Sequence, residues 1–424
     1  MTAREVVQGA LRTFRSNADY RAELEKLSAA LPDRRDAALA MQITLGVIRN
    51  LTLCDYYISS ASSIRLNKIE PQALDILRSA VYQLAFLDKV PKSAAVNEAV
   101  AIARKKLNPR AVGFVNAVLR KLSTALPELP QTADKAAFLA LKYSHTEWLV
   151  REFFNRLGET ETEALLIANN TEPPVYARVI TLKTTPERLI SELSALGIEA
   201  VPSELDGTLE LRALYDLKTL APFKKGEFFV QDPSSTRAAI AVGAAEGQRV
   251  IDACAAPGGK SFTMAIEMQN KGEIIAFDTE KKVPLIAEGA ARLGLSVISA
   301  RAGDSAARDG SLIKTADAVL VDAPCSGFGV IRKKPEIRFK TREEIAELPA
   351  QALAILENCA EYVKPGGTLV YSTCTLQEGE NEGVVEAFSR GTSDFVIKSQ
   401  TTYFPHTSGS DGFFIAVLER QHEG

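Results

Sequence analysis

The first 126 residues carry a hydrophobic pattern with the period of an α-helix. The clearest helix begins at Pro71, a residue that the first helical turn tolerates because it needs no N–H there. Its apolar positions recur every three or four residues and are Leu74, Leu77, Val81 and Leu84. Residues at this spacing share one face of a helix, so we expect them to be buried. Further helices are predicted over residues 94–106 and 110–122, and the segment as a whole predicts an all-α bundle.

The pattern changes twice in the next hundred residues. Residues 131–170 remain helical in period, whereas residues 175–225 mix short strands with one helix. Thr185 is a typical N-cap and Pro186 a typical first helical residue, so a helix is predicted from there to about residue 196. Strands are predicted on either side of it, at residues 175–182, 199–202 and 209–211. We interpret residues 175–225 as a small α/β module.

From Phe228 onward, strands alternate with helices. The predicted strands are short, apolar and β-branched, as buried parallel strands are, and they cover residues 249–253, 273–278, 296–300, 316–322, 368–372 and 413–418. This alternation predicts an open α/β sheet that binds its ligand beyond the carboxyl ends of the strands. The fold class is therefore multi-domain, with predicted domains at residues 1–130, 131–225 and 226–424.

Composition narrows the functional classes. The 424 residues include no apolar run long enough to span a membrane, and the charged N-terminus lacks the apolar core of a secretory signal. Five irregularly spaced cysteines do not form a disulfide framework, so a reducing cytoplasm is the expected location. No membrane association is expected.

Charge is distributed unevenly along the chain. The formal net charge is −3, but residues 1–130 hold 19 Lys and Arg against 12 Asp and Glu. A basic N-terminal third on an acidic body suggests a partner that carries phosphates. A merely solvated helical surface would give the same count, and charge alone does not separate the two interpretations.

The first strand of the alternating region runs into a glycine-rich loop, Asp-Ala-Cys-Ala-Ala-Pro-Gly-Gly-Lys-Ser, at residues 252–261. Small residues and glycines let a ligand approach the backbone closely, and the following helix presents free N–H groups. The ending Gly259-Lys260-Ser261 resembles that of a phosphate-binding loop. However, the first glycine of that motif would fall at position 254, which is Cys254, so this interpretation fails.

Four carboxylates end or follow successive predicted strands, and they are Asp252, Asp278, Asp304 and Asp322. A single such Asp is most often a cap or a turn residue. Asp278, however, follows Asp252 by 26 residues, close to the spacing at which a second-strand acid meets a ribose hydroxyl. The series predicts a nucleoside-containing cofactor.

Two cysteines lie on tight loops at further strand ends, Cys325 in Asp-Ala-Pro-Cys-Ser-Gly and Cys374 in Ser-Thr-Cys-Thr. Cys54 and Cys359, in apolar helical contexts, are expected to be small buried hydrophobes. With three His in the chain and no Cys-x-x-Cys, no metal site is expected. Cysteine is suited to covalent catalysis because its thiolate is both a strong nucleophile and a good leaving group.

These motifs together resemble the RNA 5-methylcytosine methyltransferases of the NOL/NOP/Sun family. The resemblance extends to Gln231-Asp232-Pro233 and to Asp411-Gly412-Phe413, and the N-terminal helices resemble the RNA-binding factor NusB. It implies a NusB-like helical domain, a small α/β module and a Rossmann-like class I methyltransferase domain.

The resemblance also implies the cofactor and the roles of individual residues. S-adenosyl-L-methionine would be bound by residues that the family motifs supply, namely Cys254, Ala255, Ala256, Pro257, Gly258, Gly259, Lys260, Asp278, Asp304 and Asp322. Cys374 would attack C6 of the cytosine, Cys325 would assist product release, and Asp322 would hold the N3 edge of the base. Whether Lys260 contacts the methionine carboxylate or the RNA stays open.

The expected partner is RNA, specifically small-subunit (16S) ribosomal RNA, and the expected oligomeric state is a monomer. DNA 5-methylcytosine enzymes use the cysteine of the Pro-Cys motif as nucleophile and need no second one, so the presence of Cys325 and Cys374 together favours RNA. Two alternatives remain at this point: the same chemistry on transfer RNA, and a non-catalytic RNA-binding assembly factor that retains the fold.

Overall fold

A computed structural model describes residues 1–212 and 217–422 of the chain. The chain divides into two compact units, Met1–Asn170 and Thr171–Gly424. Residues 131–170 cluster with the helices that precede them, and residues 171–212 cluster with the α/β region that follows. The domain limits at residues 130 and 225 remain sequence-based proposals.

The first unit is built from helices, as predicted. Its α-helices are α1 (Ala3–Arg15), α2 (Tyr20–Ser28), α3 (Arg34–Arg49), α4 (Leu51–Ala61), α5 (Pro71–Phe86), α6 (Lys92–Lys106), α7 (Pro109–Thr124), α8 (Lys135–Lys142) and α9 (Glu147–Asn170). The predicted apolar stripe of α5 is buried. Helix α9 is broken at Gly158, whose φ of 79° lies outside the helical region. Helix α1 begins with a capping box, in which Thr2 and Glu5 each bond the other's backbone N–H.

Within the described part of the chain, no single helix is both long and apolar enough to cross a membrane. Helices α3 and α4 meet those criteria only as a pair bent by 79°.

The second unit begins with a four-stranded antiparallel sheet in the order β2–β3–β1–β4. Its elements are β1 (Val175–Val179), α10 (Pro186–Ala195), β2 (Glu199–Pro202), β3 (Thr208–Arg212), α11 (Ala221–Lys224) and β4 (Phe228–Val230). The hydroxyl of Thr185 accepts the N–H of Arg188 and caps α10, as its sequence predicts. This is the expected small α/β module.

The rest of the unit is a seven-stranded sheet in the order β10–β11–β9–β8–β5–β6–β7. Its elements are α12 (Pro233–Ala241), β5 (Arg249–Asp252), α13 (Gly259–Glu267), β6 (Glu273–Asp278), α14 (Val283–Leu293), β7 (Ile298–Ala302), β8 (Ala316–Asp322), α15 (Arg342–Ile345), α16 (Leu348–Ala360), β9 (Val363–Thr373), α17 (Glu382–Gly391), β10 (Phe395–Tyr403), α18 (Pro405–Ser408) and β11 (Phe413–Arg420). Strands β5 to β9 pair in parallel, and β11 is antiparallel to both β9 and β10.

Helices cover both faces of this sheet. Adjacent strand residues face opposite layers: Val250 packs with α12, α13 and α14, whereas Ile251 packs with α16 and α17. Burial on both faces explains why the central strands read as continuous apolar runs. The resulting Rossmann-like fold confirms the predicted class and brings the carboxyl ends of β5, β6, β8 and β9 to one edge.

Candidate active site

The loop after β5 is shaped by Gly258, which has a φ of +111° and caps the N-terminus of α13. A Cβ at this position would lie 2.3 Å from Cζ of Phe262, so a side chain is excluded by contact as well as by conformation. The N–H of Ala255 donates to the carbonyl of Phe277 at 2.8 Å, which fixes the loop against β6. The predicted loop of residues 254–260 therefore lies at the carboxyl edge.

Asp252 ends β5 and is fully buried. Its Oδ2 accepts the Ser261 hydroxyl at 2.6 Å, while its Oδ1 is buried without a hydrogen-bond partner among the described residues. Burial raises the pKa of Asp252 to about 6. An unpaired buried acceptor beside the glycine loop is suited to a ligand with a hydrogen-bond donor.

Asp278 ends β6 and is held in place by backbone groups. Its Oδ2 accepts the N–H of Ala256 at 2.9 Å and its Oδ1 the N–H of Thr279 at 2.7 Å. Burial alone would raise the pKa of Asp278, but these two hydrogen bonds and the ammonium of Lys282 at 3.4 Å lower it. The carboxylate is thus ionised and oriented before any ligand binds.

Asp304 follows β7 and is exposed. Its Oδ1 accepts the N–H of Ala306 at 3.0 Å, and the N–H of the preceding Gly303 donates to the carbonyl of Asp278 at 3.1 Å. The backbone hydrogen bond brings the ends of β6 and β7 together, so Asp304 lies at the outer rim of the same edge.

Lys260 and Asp322 form an ion pair at the centre of this edge. Their Nζ and Oδ2 atoms are 2.6 Å apart, and the hydroxyl of Ser372 donates to the other Asp322 oxygen at 2.9 Å. The ammonium also lies 5.1 Å from the centre of the Phe413 ring. Burial would lower the pKa of Lys260, but the Asp322 carboxylate outweighs it and raises that pKa.

The two cysteines singled out by the sequence are in contact, with their Sγ atoms 3.3 Å apart. Both are unbridged and half-buried. The hydrogen bond between them raises the pKa of Cys325 well above its usual value and lowers the pKa of Cys374. Burial and the Asp322 carboxylate would raise the pKa of Cys374, whereas the ammonium groups of Lys260 and Lys334 lower it. Either sulfur can donate in this contact, and the ammonium groups of Lys260 and Lys334 favour the thiolate form of Cys374.

Backbone contacts lock the two cysteine loops together. The N–H of Gly329 donates to the carbonyl of Cys374 at 2.9 Å, and the N–H of Gly412 donates to the carbonyl of Gly329 at 2.8 Å. A Cβ at Gly329 would lie 1.9 Å from the carbonyl oxygen of Gly412, which leaves no room for a side chain.

A buried ionic cluster that the sequence does not predict supports the same loops. The ammonium of Lys333 lies 2.8 Å from Asp232 Oδ2 and 2.6 Å from Asp411 Oδ2, and Arg332 Nε lies 3.2 Å from Asp411 Oδ1. The four residues belong to motifs that are far apart in sequence, so only the fold reveals their pairing. Ser326 and Thr375 directly follow the two cysteines, and Glu380 lies further along the second loop. The sequence does not predict the hydrogen bonds that Ser326 forms with Thr375 and Glu380.

Among residues 1–212 and 217–422, no three His, Cys, Asp or Glu side chains lie close enough together to hold a metal ion.

Known proteins match this chain along almost its whole length. The model of the "16S rRNA methyltransferase RsmB/F" family matches residues 239–419, that of the NusB family residues 1–124, and that of an RsmF/B-like ferredoxin-like domain residues 145–216. A probable ribosomal RNA small subunit methyltransferase B from Bacillus subtilis (strain 168) is 36% identical over 91% of each chain. The chain belongs to the RsmB/F methyltransferase family. A second relative of the same description, from Synechocystis sp., is 32% identical over 94% of this chain and 93% of its own.

Solved structures share the fold of this chain. The crystal structure of PH0851 covers 98% of each chain with a TM-score of 0.83 and 27% identity. NSun6 from Pyrococcus horikoshii, solved with SFG, covers 64% of this chain and 97% of its own, with a TM-score of 0.58; its 24% identity supports the fold alone. The cofactor of the family is S-adenosylmethionine. The residues at the carboxyl edge fit it, because Asp278 presents an oriented carboxylate and Asp252 an unpaired buried oxygen beside the glycine loop.

Proposed function

We propose that this protein methylates carbon 5 of a cytosine in small-subunit ribosomal RNA through a covalent bond between Cys374 and C6 of the base. The observation that carries the proposal is the 3.3 Å contact between Cys374 and Cys325 at the carboxyl edge of the sheet. The names of the relatives, ribosomal RNA small subunit methyltransferase B, support ribosomal RNA as the substrate.

Cys374 is suited to activate the base. C5 of cytosine is a weak nucleophile because it is part of an aromatic ring, and addition of a thiolate to C6 makes C5 electron-rich. The hydrogen bond from Cys325 and the nearby ammonium groups lower the pKa of Cys374 and so increase the thiolate fraction. C5 can then accept a methyl group, which S-adenosylmethionine supplies in electrophilic form when it is bound.

Lys260 and Asp322 are suited to hold the cytosine during this addition. Negative charge develops on the ring when sulfur adds to C6, and a donor near N3 stabilises it. Both charges act on the pKa of Cys374, in opposite directions: the Asp322 carboxylate raises it and the Lys260 ammonium lowers it. We assign Asp322 to the N3 edge of the base, where its carboxylate can accept a hydrogen bond from the adjacent 4-amino group, and Lys260 to the same place as the donor that compensates the developing charge.

Cys325 is suited to the release step. Once Cys374 is bonded to carbon, the Cys325 thiol has lost the charged acceptor it faces in the free enzyme. To restore the aromatic ring, a water molecule takes the C5 proton, the electron pair of the C5–H bond reforms the C5–C6 double bond, and the C6–S bond breaks to release Cys374 as a thiolate. Cys325 is the neighbouring group that can stabilise that departing charge by donating its hydrogen bond.

The cofactor residues are assigned from the same edge. The loop of residues 254–260 and the carboxylates of Asp278, Asp304 and Asp322 would hold S-adenosylmethionine, with Asp278 accepting hydrogen bonds from the ribose hydroxyls. Phosphate contacts are assigned to the first unit, where Arg104, Lys106 and Arg110 are exposed around the end of α6 and the start of α7.

The test is methyl transfer by the full-length protein to 16S ribosomal RNA, followed by nuclease digestion and mass spectrometry of the nucleosides. The proposal predicts 5-methylcytidine in the product and none when transfer RNA replaces the ribosomal RNA. Methyl groups found on another base, or on transfer RNA alone, would contradict it. A protein that binds S-adenosylmethionine and 16S RNA without transferring a methyl group would instead support a non-catalytic assembly factor.

A further inference from the structure

Ser326, the residue after Cys325, is fully buried, and each of its polar groups is hydrogen-bonded to a different residue. Its N–H donates to Glu380 Oε2 at 2.7 Å, its carbonyl accepts the ammonium of Lys340 at 2.8 Å, and its hydroxyl bonds that of Thr375 at 2.6 Å. Thr375 directly follows Cys374. Ser326 therefore connects the Cys325 loop to the Cys374 loop.

Among the three residues that bond Ser326, Glu380 is unusual because it is a buried acid. Its side chain is only 2% exposed, and its second oxygen, Oε1, is buried without a hydrogen-bond partner among the described residues. Burial raises the pKa of Glu380, while the bonds from Ser326 and the charge of Lys340 lower it less strongly. Burying a carboxylate with one unpaired oxygen costs free energy, which points to a role that requires an acceptor at this place.

The position of Glu380 in the fold suggests that role. It ends the turn Glu378–Glu380, six residues after Cys374, and its own carbonyl accepts the Tyr371 hydroxyl at 2.5 Å. Because Tyr371 lies inside β9, Glu380 is tied to the sheet that carries Cys374, while its carboxylate holds the loop that carries Cys325. A charged acceptor forms a stronger hydrogen bond to an N–H than a neutral one does.

We propose that Glu380 is a positioning residue: through Ser326 it sets the Cys325 loop at the distance from Cys374 at which one thiol can donate to the other sulfur. This inference rests on the proposed function, in which that hydrogen bond activates Cys374. Loss of the carboxylate lets the Cys325 loop move, Cys374 loses its donor, and its thiolate becomes less populated at neutral pH.

The test measures the thiolate directly, without RNA. The rate at which iodoacetamide alkylates Cys374 in the full-length protein is followed by peptide mass spectrometry as a function of pH. Glu380→Ala should move the midpoint upward and slow alkylation at neutral pH by about tenfold, the effect of one pKa unit. Glu380→Gln, which keeps a neutral acceptor, should give a smaller shift in the same direction. The matched control is Glu378→Gln, an exposed carboxylate on the same turn, which should behave as the wild type.

A second arm separates positioning from folding. In a Cys325→Ala background the donor is already absent, so adding Glu380→Gln should change the Cys374 midpoint no further. Binding of S-adenosylhomocysteine, measured by calorimetry, should be unchanged in the Glu380→Gln protein. An unchanged Cys374 midpoint in that protein, or a shift that persists in the Cys325→Ala background, would overturn the inference. Because no RNA is involved, these outcomes do not depend on whether methyl transfer occurs.

Discussion

The pKa values of individual side chains at the carboxyl edge are set by a few neighbouring groups. Cys374 and Cys359 are both cysteines of the same unit, yet Cys359 is buried in an apolar cluster, where burial raises its pKa to about 12, whereas a thiol donor and two ammonium groups lower the pKa of Cys374. Sequence context separated the two correctly, because Cys359 lies in an apolar helix and Cys374 at a strand end.

Asp278 is expected to contribute directly to cofactor affinity. Replacing it with Ala removes an oriented carboxylate and its charge-assisted hydrogen bonds, each worth roughly 1.5–3 kcal/mol. The affinity for S-adenosylmethionine should therefore fall about tenfold or more. Calorimetry measures the change. The control is Glu357→Ala, an exposed acid on α16; equal affinities for wild type and Asp278→Ala would refute the assignment.

Gly329 is expected to tolerate no side chain. An added Cβ would meet the Gly412 carbonyl oxygen at 1.9 Å and the Cys374 carbonyl oxygen at 2.8 Å, and neither backbone can move without displacing a cysteine loop. Gly329→Ala should lower the melting temperature and abolish methyl transfer.

The matched control for this glycine is Gly379→Ala, where, apart from the glycine and its two chain neighbours, no atom of residues 1–212 and 217–422 lies within 4 Å of the added carbon. Differential scanning fluorimetry and a methyl-transfer assay on both variants test the prediction. Wild-type stability and activity in Gly329→Ala would show that the loops adapt, and that the contact between them is not required.

The contacts around Ser326 show where residue-level prediction from sequence stops. The strand-end acids and cysteines could be found because each follows a recognisable strand. The side chains that hold them could not, because Glu380 and Ser326 are 54 positions apart and meet only when two loops pack together.

Secondary-structure elements could be predicted best where they are buried on both faces. Strands β6 and β8 have the bounds that the sequence predicts. The third parallel strand was expected at residues 296–300 but occupies Ile298–Ala302 as β7, because a turn follows the Gly294 cap of α14 and delays pairing with β6. As the last strand of the sheet, β7 is partly exposed and its apolar pattern is weak.

Strand β10 was missed entirely. It lies at the other edge of the sheet, most of its residues are exposed, and a register shift between Ile397 and Ser399 interrupts its pairing with β11. Edge strands with a central charge, here Lys398, lack the alternation on which strand prediction depends. Its β-branched residues were the only available signal.

The end of α6 and the start of α7 are expected to bind RNA phosphates. The exposed basic residues there are Arg104, Lys105, Lys106 and Arg110, and Lys105 additionally pairs with Glu5 at 2.9 Å. The logarithm of RNA affinity should fall with the logarithm of salt concentration by about 0.7 for each phosphate contacted on single-stranded RNA. Changing these four residues to Gln should flatten that slope.

Fluorescence anisotropy with a labelled 16S fragment measures the slope. Changing Arg34 and Arg35, two exposed residues at the start of α3, serves as the control and should leave the slope as it is. If the four-residue variant keeps the wild-type slope, the phosphates are bound elsewhere, and the module of β1 to β4 is the next surface to test.

The whole molecule joins a helical unit to an α/β unit, and its fold class and family could be inferred from sequence. Composition and period distinguish helices from alternating strands, and the motifs identify the family. The division after Asn170 could not be inferred, because the stretch Leu-Pro-Glu-Leu-Pro at residues 126–130 interrupts the helical pattern before α8, and only packing assigns α8 and α9 to the first unit.

In the proposed mechanism the two cysteines have different roles: Cys374 attacks the base and Cys325 is needed for its release. If Cys374 attacks C6, the Cys374→Ala protein forms no bond to RNA. If Cys325 is essential for release but only assists attack, the Cys325→Ala protein attacks and methylates the base more slowly, because Cys374 has lost its donor, and then remains bonded to it. A stable protein–RNA adduct should therefore accumulate in Cys325→Ala alone and disappear in the double variant.

The decisive measurement is a denaturing gel of the wild type, both single variants and the double variant after incubation with S-adenosylmethionine and 16S ribosomal RNA. A slow-migrating, nuclease-sensitive band is expected in Cys325→Ala and in no other lane. An adduct in Cys374→Ala but not in Cys325→Ala would contradict the proposed mechanism and would make Cys325 the nucleophile.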